Sequence, residues 1–184
     1  MTRINLVEES KAPASILPFY AKGYPGPIAA SLANVPEIMQ LALPLVMRVL
    51  GPSHINARTK EIVILRASAL QQCRYCTSTH SVIAMDSGLS TGEVQALRGE
   101  KPWRDTFKDP IELALLAWTE TVATGGKPVD EALLKGLKKH FGEADVVELT
   151  MLVATTVLLN RYATALDLPV ADAHLVRLSQ TGLA

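Results

Sequence analysis

The chain contains two cysteines, Cys73 and Cys76, and they lie in the run CRYCTSTH that ends at His80. At 3.6 residues per turn, spacings of three and four put all three side chains on one helical face. Cys76 and His80 are one turn apart, a rise of about 6 Å, so an imidazole there reaches a thiol directly or through one water. Thiols near a helix start feel the positive end of the macrodipole and unpaired backbone N–H groups. With a histidine beside them, these can lower a thiol pKa from about 8.5 into the range where thiolate exists at neutral pH. A sulfenic acid formed on one sulfur is within reach of the other and can condense to a disulfide instead of over-oxidising. The spacing therefore fits a two-electron thiol cycle, and helix position alone favours Cys73, nearer the start, as the reactive sulfur.

Twelve positions before Cys73 stands Glu61, in the segment ARTKEIVILRASAL. Ile62, Val63, Ile64, Leu65, Ala67, Ala69 and Leu70 cover nearly the whole circumference of that helix, so it is expected to be largely buried. Ser68, seven residues on, lies nearly above Glu61 and makes a narrow polar stripe with it, while Arg66 projects elsewhere. A buried carboxylate needs a partner or a raised pKa. Two plainer readings compete. Cys73, Cys76 and His80 could be three ligands of a structural zinc, but no second CxxC and no HxxxH supplies the fourth. The cysteines could also be inert core residues, with His80 hydrogen-bonded in the core and Glu61 paired structurally. The combination of Glu61, Cys73, Cys76 and His80, not any single member, points to thiol chemistry. His54, His140 and His174 fall in loops or at helix ends, without acidic or thiol neighbours to complete a site, and are expected at the surface. Trp103, Trp118, Phe107, Phe141 and Tyr162 are expected to pack core or interface. Asn160 and Arg161, following a long apolar run, cap a helix surface or stitch an interface and are assigned no chemistry.

The elements that must position these groups read as helices throughout. Apolar residues recur at helical spacing in segments near 36–50, 57–70, 73–87, 91–97, 110–124, 131–140, 143–166 and 171–178, which predicts an all-α fold. Ser90 with Glu93 forms a capping box, and Asp109 before Pro110 and Glu112 marks another start. Gly88, Gly125-Gly126 and Gly142 supply stops, and Pro44 is expected to kink its helix. Residues 1–35, rich in proline and glycine, read as an irregular arm with one short helix near 28–34, of the kind that wraps a neighbouring molecule; residues 36–184 form the helical domain.

Composition bounds the function. Lys plus Arg and Asp plus Glu are 18 each, with no basic block, which argues against nucleic-acid binding. Charged residues interrupt the apolar runs, so no membrane span is expected. The N-terminal residues carry Glu8, Glu9 and Lys11 where a secretory signal would be apolar, which points to the cytoplasm. Helix 143–166 is apolar all round and so central, or placed between subunits, and a homo-oligomer is expected.

Residues 61–94, EIVILRASALQQCRYCTSTHSVIAMDSGLSTGEV, resemble the AhpD-like alkylhydroperoxidase branch of the carboxymuconolactone decarboxylase family. The likeness lies in a glutamate followed after twelve positions by CxxCxxxH and then a Gly-Leu-Ser turn, here Glu61, Cys73, Cys76, His80, Gly88, Leu89 and Ser90, and it extends over roughly 36–170. The resemblance implies an AhpD-like helical domain that assembles as a trimer or hexamer. It implies a peroxidase cycle on hydrogen peroxide or organic hydroperoxides without haem, metal or other cofactor. Cys76 would attack the peroxide, Cys73 would resolve the sulfenic acid, and His80 with Glu61 would relay protons. An external dithiol, lipoyl- or thioredoxin-like, would reduce the disulfide. Tyr75 departs from the histidine that some members carry directly before the second cysteine. The decarboxylase branch acts on a carboxylated lactone and generally lacks the cysteine pair. An enzyme of that kind, with His80 and Glu61 handling protons, is the alternative, and a non-catalytic redox-sensing oligomer is another.

Overall fold

The computed structural model describes residues 2–183, and within them it contains ten α-helices and no strand. They are α1 (Pro27–Leu32), α2 (Pro36–Leu50), α3 (Ala57–Leu70), α4 (Arg74–Asp86), α5 (Thr91–Arg98), α6 (Trp103–Thr106), α7 (Pro110–Thr124), α8 (Glu131–Leu137), α9 (Glu143–Leu166) and α10 (Asp172–Thr181). Four segments coincide with the periodicity to the residue: α2, α3, α7 and α9. The short α6 was not expected, because four residues carry no periodic pattern.

Capping explains most starts. Asn56 accepts a hydrogen bond from the Thr59 N–H at 2.8 Å, and Asp109 accepts from Ile111 at 2.8 Å, each satisfying an orphan donor of the first turn. Ser90 and Glu93 form the reciprocal capping box, the Ser90 N–H donating to Glu93 Oε2 at 2.8 Å. α2 continues past Pro44 without interruption.

α3 is the hub, packing against α4, α5, α7 and α9. Its Ile62, Val63, Ile64, Leu65 and Ala67 are at most 1% exposed, and each large aliphatic side chain so buried contributes about 1.5–3 kcal/mol. α9 lies beside it, with Leu149, Leu152, Val153 and Ala163 buried. By length and composition α9 could cross a bilayer, contrary to the sequence expectation, but half of its most apolar stretch is buried among the other helices.

Charges close to this core are paired. Arg58 of α3 bridges Glu93 of α5 and Glu112 of α7, the latter at 2.9 Å, and Arg66 joins Glu120, which also accepts from the Trp103 indole at 2.8 Å. Lys60 is 2% exposed. Its ammonium donates to the carbonyls of Val49 at 3.0 Å and Gly51 at 2.7 Å and pairs with Glu148 at 2.9 Å. A buried ammonium is tolerated only with such partners.

The arm folds back on its own chain, where the sequence suggested a wrapped neighbour. Besides α1 it contains 3-10 turns at Glu9–Lys11 and Ala14–Tyr20. Ile16, Tyr20, Ala29 and Ala33 pack with Met39 and Leu43 of α2 as a small second core. The Arg3 N–H donates to the Leu166 carbonyl at 3.1 Å, and Ser31 Oγ meets the Tyr162 hydroxyl at 2.9 Å, fastening the arm to α9.

Helices α2 and α9 present Leu45, Met151 and Leu158 to solvent around one groove, which continues past Met151 to Val147, Trp118 and Val122.

The α5 cap gives a direct test. Burial pushes the Glu93 carboxyl up, but hydrogen bonds from Arg58 and from Ser90 outweigh it and hold it below the ordinary carboxylate range. A carboxyl depressed in the folded state stabilises above its unfolded pKa, and that stability is lost as pH falls toward the folded value. Denaturant titrations should therefore show stability declining below about pH 4, and Glu93→Gln should flatten that decline. Ser90→Ala should cost about 1 kcal/mol at neutral pH.

Candidate active site

The thiol pair sits where α3 hands over to α4. α3 ends in a Schellman motif: the Gln72 N–H donates to the Ala69 carbonyl at 3.0 Å and the Cys73 N–H to the Ser68 carbonyl at 3.1 Å. The motif needs a left-handed residue, and Gln72 supplies it with φ 54°. Cys73 then serves as N-cap of α4, its Sγ accepting from the Cys76 N–H at 3.2 Å and its carbonyl from the Thr77 N–H at 2.8 Å. A cap residue and the third residue of the helix it caps lie close together, and here their sulfurs are joined in a disulfide with Cα atoms 5.3 Å apart. At its far end α4 closes in a second Schellman motif around Gly88, φ 92°, in the left-handed conformation that glycine adopts freely.

Glu61 and His80 meet directly. Glu61 Oε2 and His80 Nδ1 are 2.9 Å apart, with the two side chains 8% and 18% exposed. The buried carboxylate thus has its partner, and the contact fixes the ring through Nδ1, leaving Nε2 for other work. His80 and Cys76 both line a cavity of about 130 Å³, walled by Ile28, Leu43, Val46, Leu50, Ile64 and Leu159, with Ser68, Tyr75, Thr79, Thr156 and Asn160 as its polar members. Cys76 is 4% exposed and borders this space, whereas Cys73 is fully buried and does not. Glu61 lies behind His80 and borders a separate surface cavity with Lys60, Ser53 and Asn56. Burial pushes the Tyr75 phenol above its ordinary value, and the nearby Tyr24 adds to this, so Tyr75 stays neutral at the cavity wall.

All four residues singled out from the sequence are therefore in one place. Among the described residues, no group of three or more His, Cys, Asp or Glu side chains is arranged to hold a metal ion. The sequence missed Asn160. It is 1% exposed and lines the cavity, where its Nδ2 donates to Ser68 Oγ at 3.0 Å. The signal was a polar residue closing the run MLVATTVLLN on a helix apolar all round. The arm's place in the site was missed as well: Pro25 and Ile28 form part of the cavity wall. His54 is exposed as expected, yet it does have acidic neighbours, pairing with Asp145 and lying 4.0 Å from Glu148. These residues come from α9 and meet the α2–α3 loop only in the folded chain.

Comparison with known proteins gives the same picture. The chain is 26% identical over 116 residues to YdfG of Bacillus subtilis (strain 168), an uncharacterized protein, covering 62% of this chain and 77% of YdfG. The fold matches an AhpD-core, peroxidase-related protein from Ralstonia eutropha JMP134 with a TM-score of 0.81 at 19% identity, covering 94% of each chain. It also matches the debrominase Bmp8, solved as a cysteine-to-alanine variant with 2,3,4-tribromopyrrole, with a TM-score of 0.75 at 19% identity over 98% of this chain and 100% of that one. Residues 36–121 match the model of the carboxymuconolactone decarboxylase family. Residues 36–121 are thus similar to the carboxymuconolactone decarboxylase family, and the chain has an AhpD-like helical fold.

Proposed function

We propose that the protein is a thiol peroxidase that reduces hydroperoxides through Cys73 and Cys76. The observation that carries this reading is the placement of Cys76 on the cavity beside His80, with Glu61 holding the imidazole from behind. Cys76 loses its proton to His80, and the thiolate attacks the terminal oxygen of the hydroperoxide. The O–O bond breaks, the alkoxide or hydroxide leaves with the proton from His80, and Cys76 is left as sulfenic acid. The Cys73 thiol then attacks that sulfur and expels water, giving the disulfide. Two thiols are oxidised and one peroxide is reduced to an alcohol or water. An external dithiol, lipoyl- or thioredoxin-like, returns the pair to thiols by exchange, as a reducing cytoplasm would allow. Helix position favours Cys73 as the attacking sulfur, but cavity access favours Cys76, and access governs which sulfur a substrate meets.

The lactone-decarboxylase alternative is less well supported. A carboxylated substrate calls for a cationic partner, and no lysine or arginine lines the cavity. Likeness to a debrominase shows that the fold serves more than one reaction.

We also propose that the apolar groove shared by α2 and α9 is covered by further copies of the chain, in a trimer or hexamer, because its exposed Leu45, Met151 and Leu158 form a continuous patch.

Mass spectrometry after one equivalent of hydroperoxide should show the reduced protein losing two hydrogens. Cys76→Ser and Cys73→Ser should each lower steady-state hydroperoxide consumption at least a hundredfold. Turnover unchanged in both would overturn the assignment. Glu61→Gln should keep the far-ultraviolet circular dichroism of the parent while slowing reaction of the reduced protein with peroxide about 10²–10⁴-fold near neutrality. Leu158→Glu should lower the sedimenting mass of the assembly to that of a smaller species or the monomer.

A further inference from the structure

The cavity beside Cys76 has several aliphatic walls, and among its polar members Ser68, Tyr75, Thr79, His80, Thr156 and Asn160, two are hydrogen-bonded to each other. Ser68 of α3 and Asn160 of α9 both line it, and each is at most 1% exposed. Asn160 donates through Nδ2 to Ser68 Oγ at 3.0 Å, which fixes the amide plane, and Asn160 Oδ1 is buried without a hydrogen-bond partner. Leaving a buried carbonyl-type oxygen unpaired costs about 1–3 kcal/mol, and α9 would avoid that cost with a leucine. Ser68 accepts from Asn160 and keeps its own hydroxyl hydrogen to donate. The pair thus combines an unused acceptor with an available donor, on the cavity that Cys76 also lines.

We propose that Asn160 and Ser68 form the polar subsite for the substrate's peroxy group, with Asn160 Oδ1 accepting the O–H and Ser68 donating to the oxygen next to carbon. This rests on the thiol-peroxidase reading and deepens it by naming the side chains that orient the peroxy group. The remaining aliphatic walls take the organic substituent. A cavity of about 130 Å³ is close in size to engineered cavities of about 150 Å³ that hold benzene. A compact apolar substituent, such as that of tert-butyl hydroperoxide, is of the size those walls enclose. The electron flow is that of the Cys76 cycle above. The subsite adds orientation, holding the peroxide bond so that its terminal oxygen meets the thiolate.

The test compares wild type with Asn160→Leu, similar in size but apolar, and with Ser68→Ala. Each is assayed with tert-butyl hydroperoxide and, separately, for alkylation of reduced Cys76 by iodoacetamide, which needs the thiolate but no peroxide subsite. Expected is at least a tenfold loss of kcat/KM for tert-butyl hydroperoxide in both variants, with alkylation rates within twofold of wild type across the neutral pH range. Independently of folding in any variant, tert-butanol, the reaction product, should shift the Asn160 side-chain amide signals of the reduced wild-type protein in a saturable way. Unchanged kcat/KM, an equal loss in peroxide turnover and alkylation, or no amide shift with tert-butanol would each overturn the subsite. Absence of any hydroperoxide turnover by wild type would instead overturn the peroxidase reading, and the tert-butanol titration would still report on the cavity.

Discussion

A carboxylate inside an aliphatic helix is the constraint around which this molecule is built. Glu61 lies among Ile62, Val63, Ile64 and Leu65, side chains that offer it nothing, and its counterpart is the imidazole of His80 at 2.9 Å. That one contact holds α3 and α4 in register, because sliding or rotating either helix would strand a buried polar group at a cost of several kcal/mol. It also fixes the histidine through Nδ1 and leaves the ring's other nitrogen out of that contact, in a side chain that lines the same cavity as Cys76.

The turn between the two helices does the complementary work. With Gln72 left-handed, the chain delivers Cys73 directly onto the N-cap position of α4, so a single residue closes one helix through its N–H and opens the next through its carbonyl. Both sulfurs are thus fixed by backbone hydrogen bonds that belong to secondary structure, and rigid placement of this kind keeps reacting atoms aligned. α9 completes the arrangement from the opposite side, covering the thiol pair with Ala163 and Leu168 nearby and contributing Asn160 and Thr156 to the cavity wall.

Much of this was legible in the amino-acid order. Spacing alone placed Cys73, Cys76 and His80 on one helical face, and the apolar surroundings of Glu61 implied a partner within reach. Helix ends followed where a cap or a breaker marked them, at Ser90, Asp109 and Gly88. What stayed hidden depends on long-range contact. Asn160 meets Ser68 across 92 positions, and His54 meets Asp145 across 91, distances over which periodicity carries no information. Proline and glycine in the arm report a turn without saying what the turned segment rests on; its own small core with Met39 and Leu43 appears only once α2 is in place.

That arm has a bearing on how such a protein can change over time. It supplies Pro25 and Ile28 to the cavity while contributing none of Glu61, Cys73, Cys76 or His80, and it is fastened mainly by its own apolar cluster and a few hydrogen bonds to α9. Mutational drift there can reshape part of the cavity wall while Glu61, His80 and the two cysteines stay as they are. Change in the wall and change in that cluster thereby fall on different stretches of the same polypeptide.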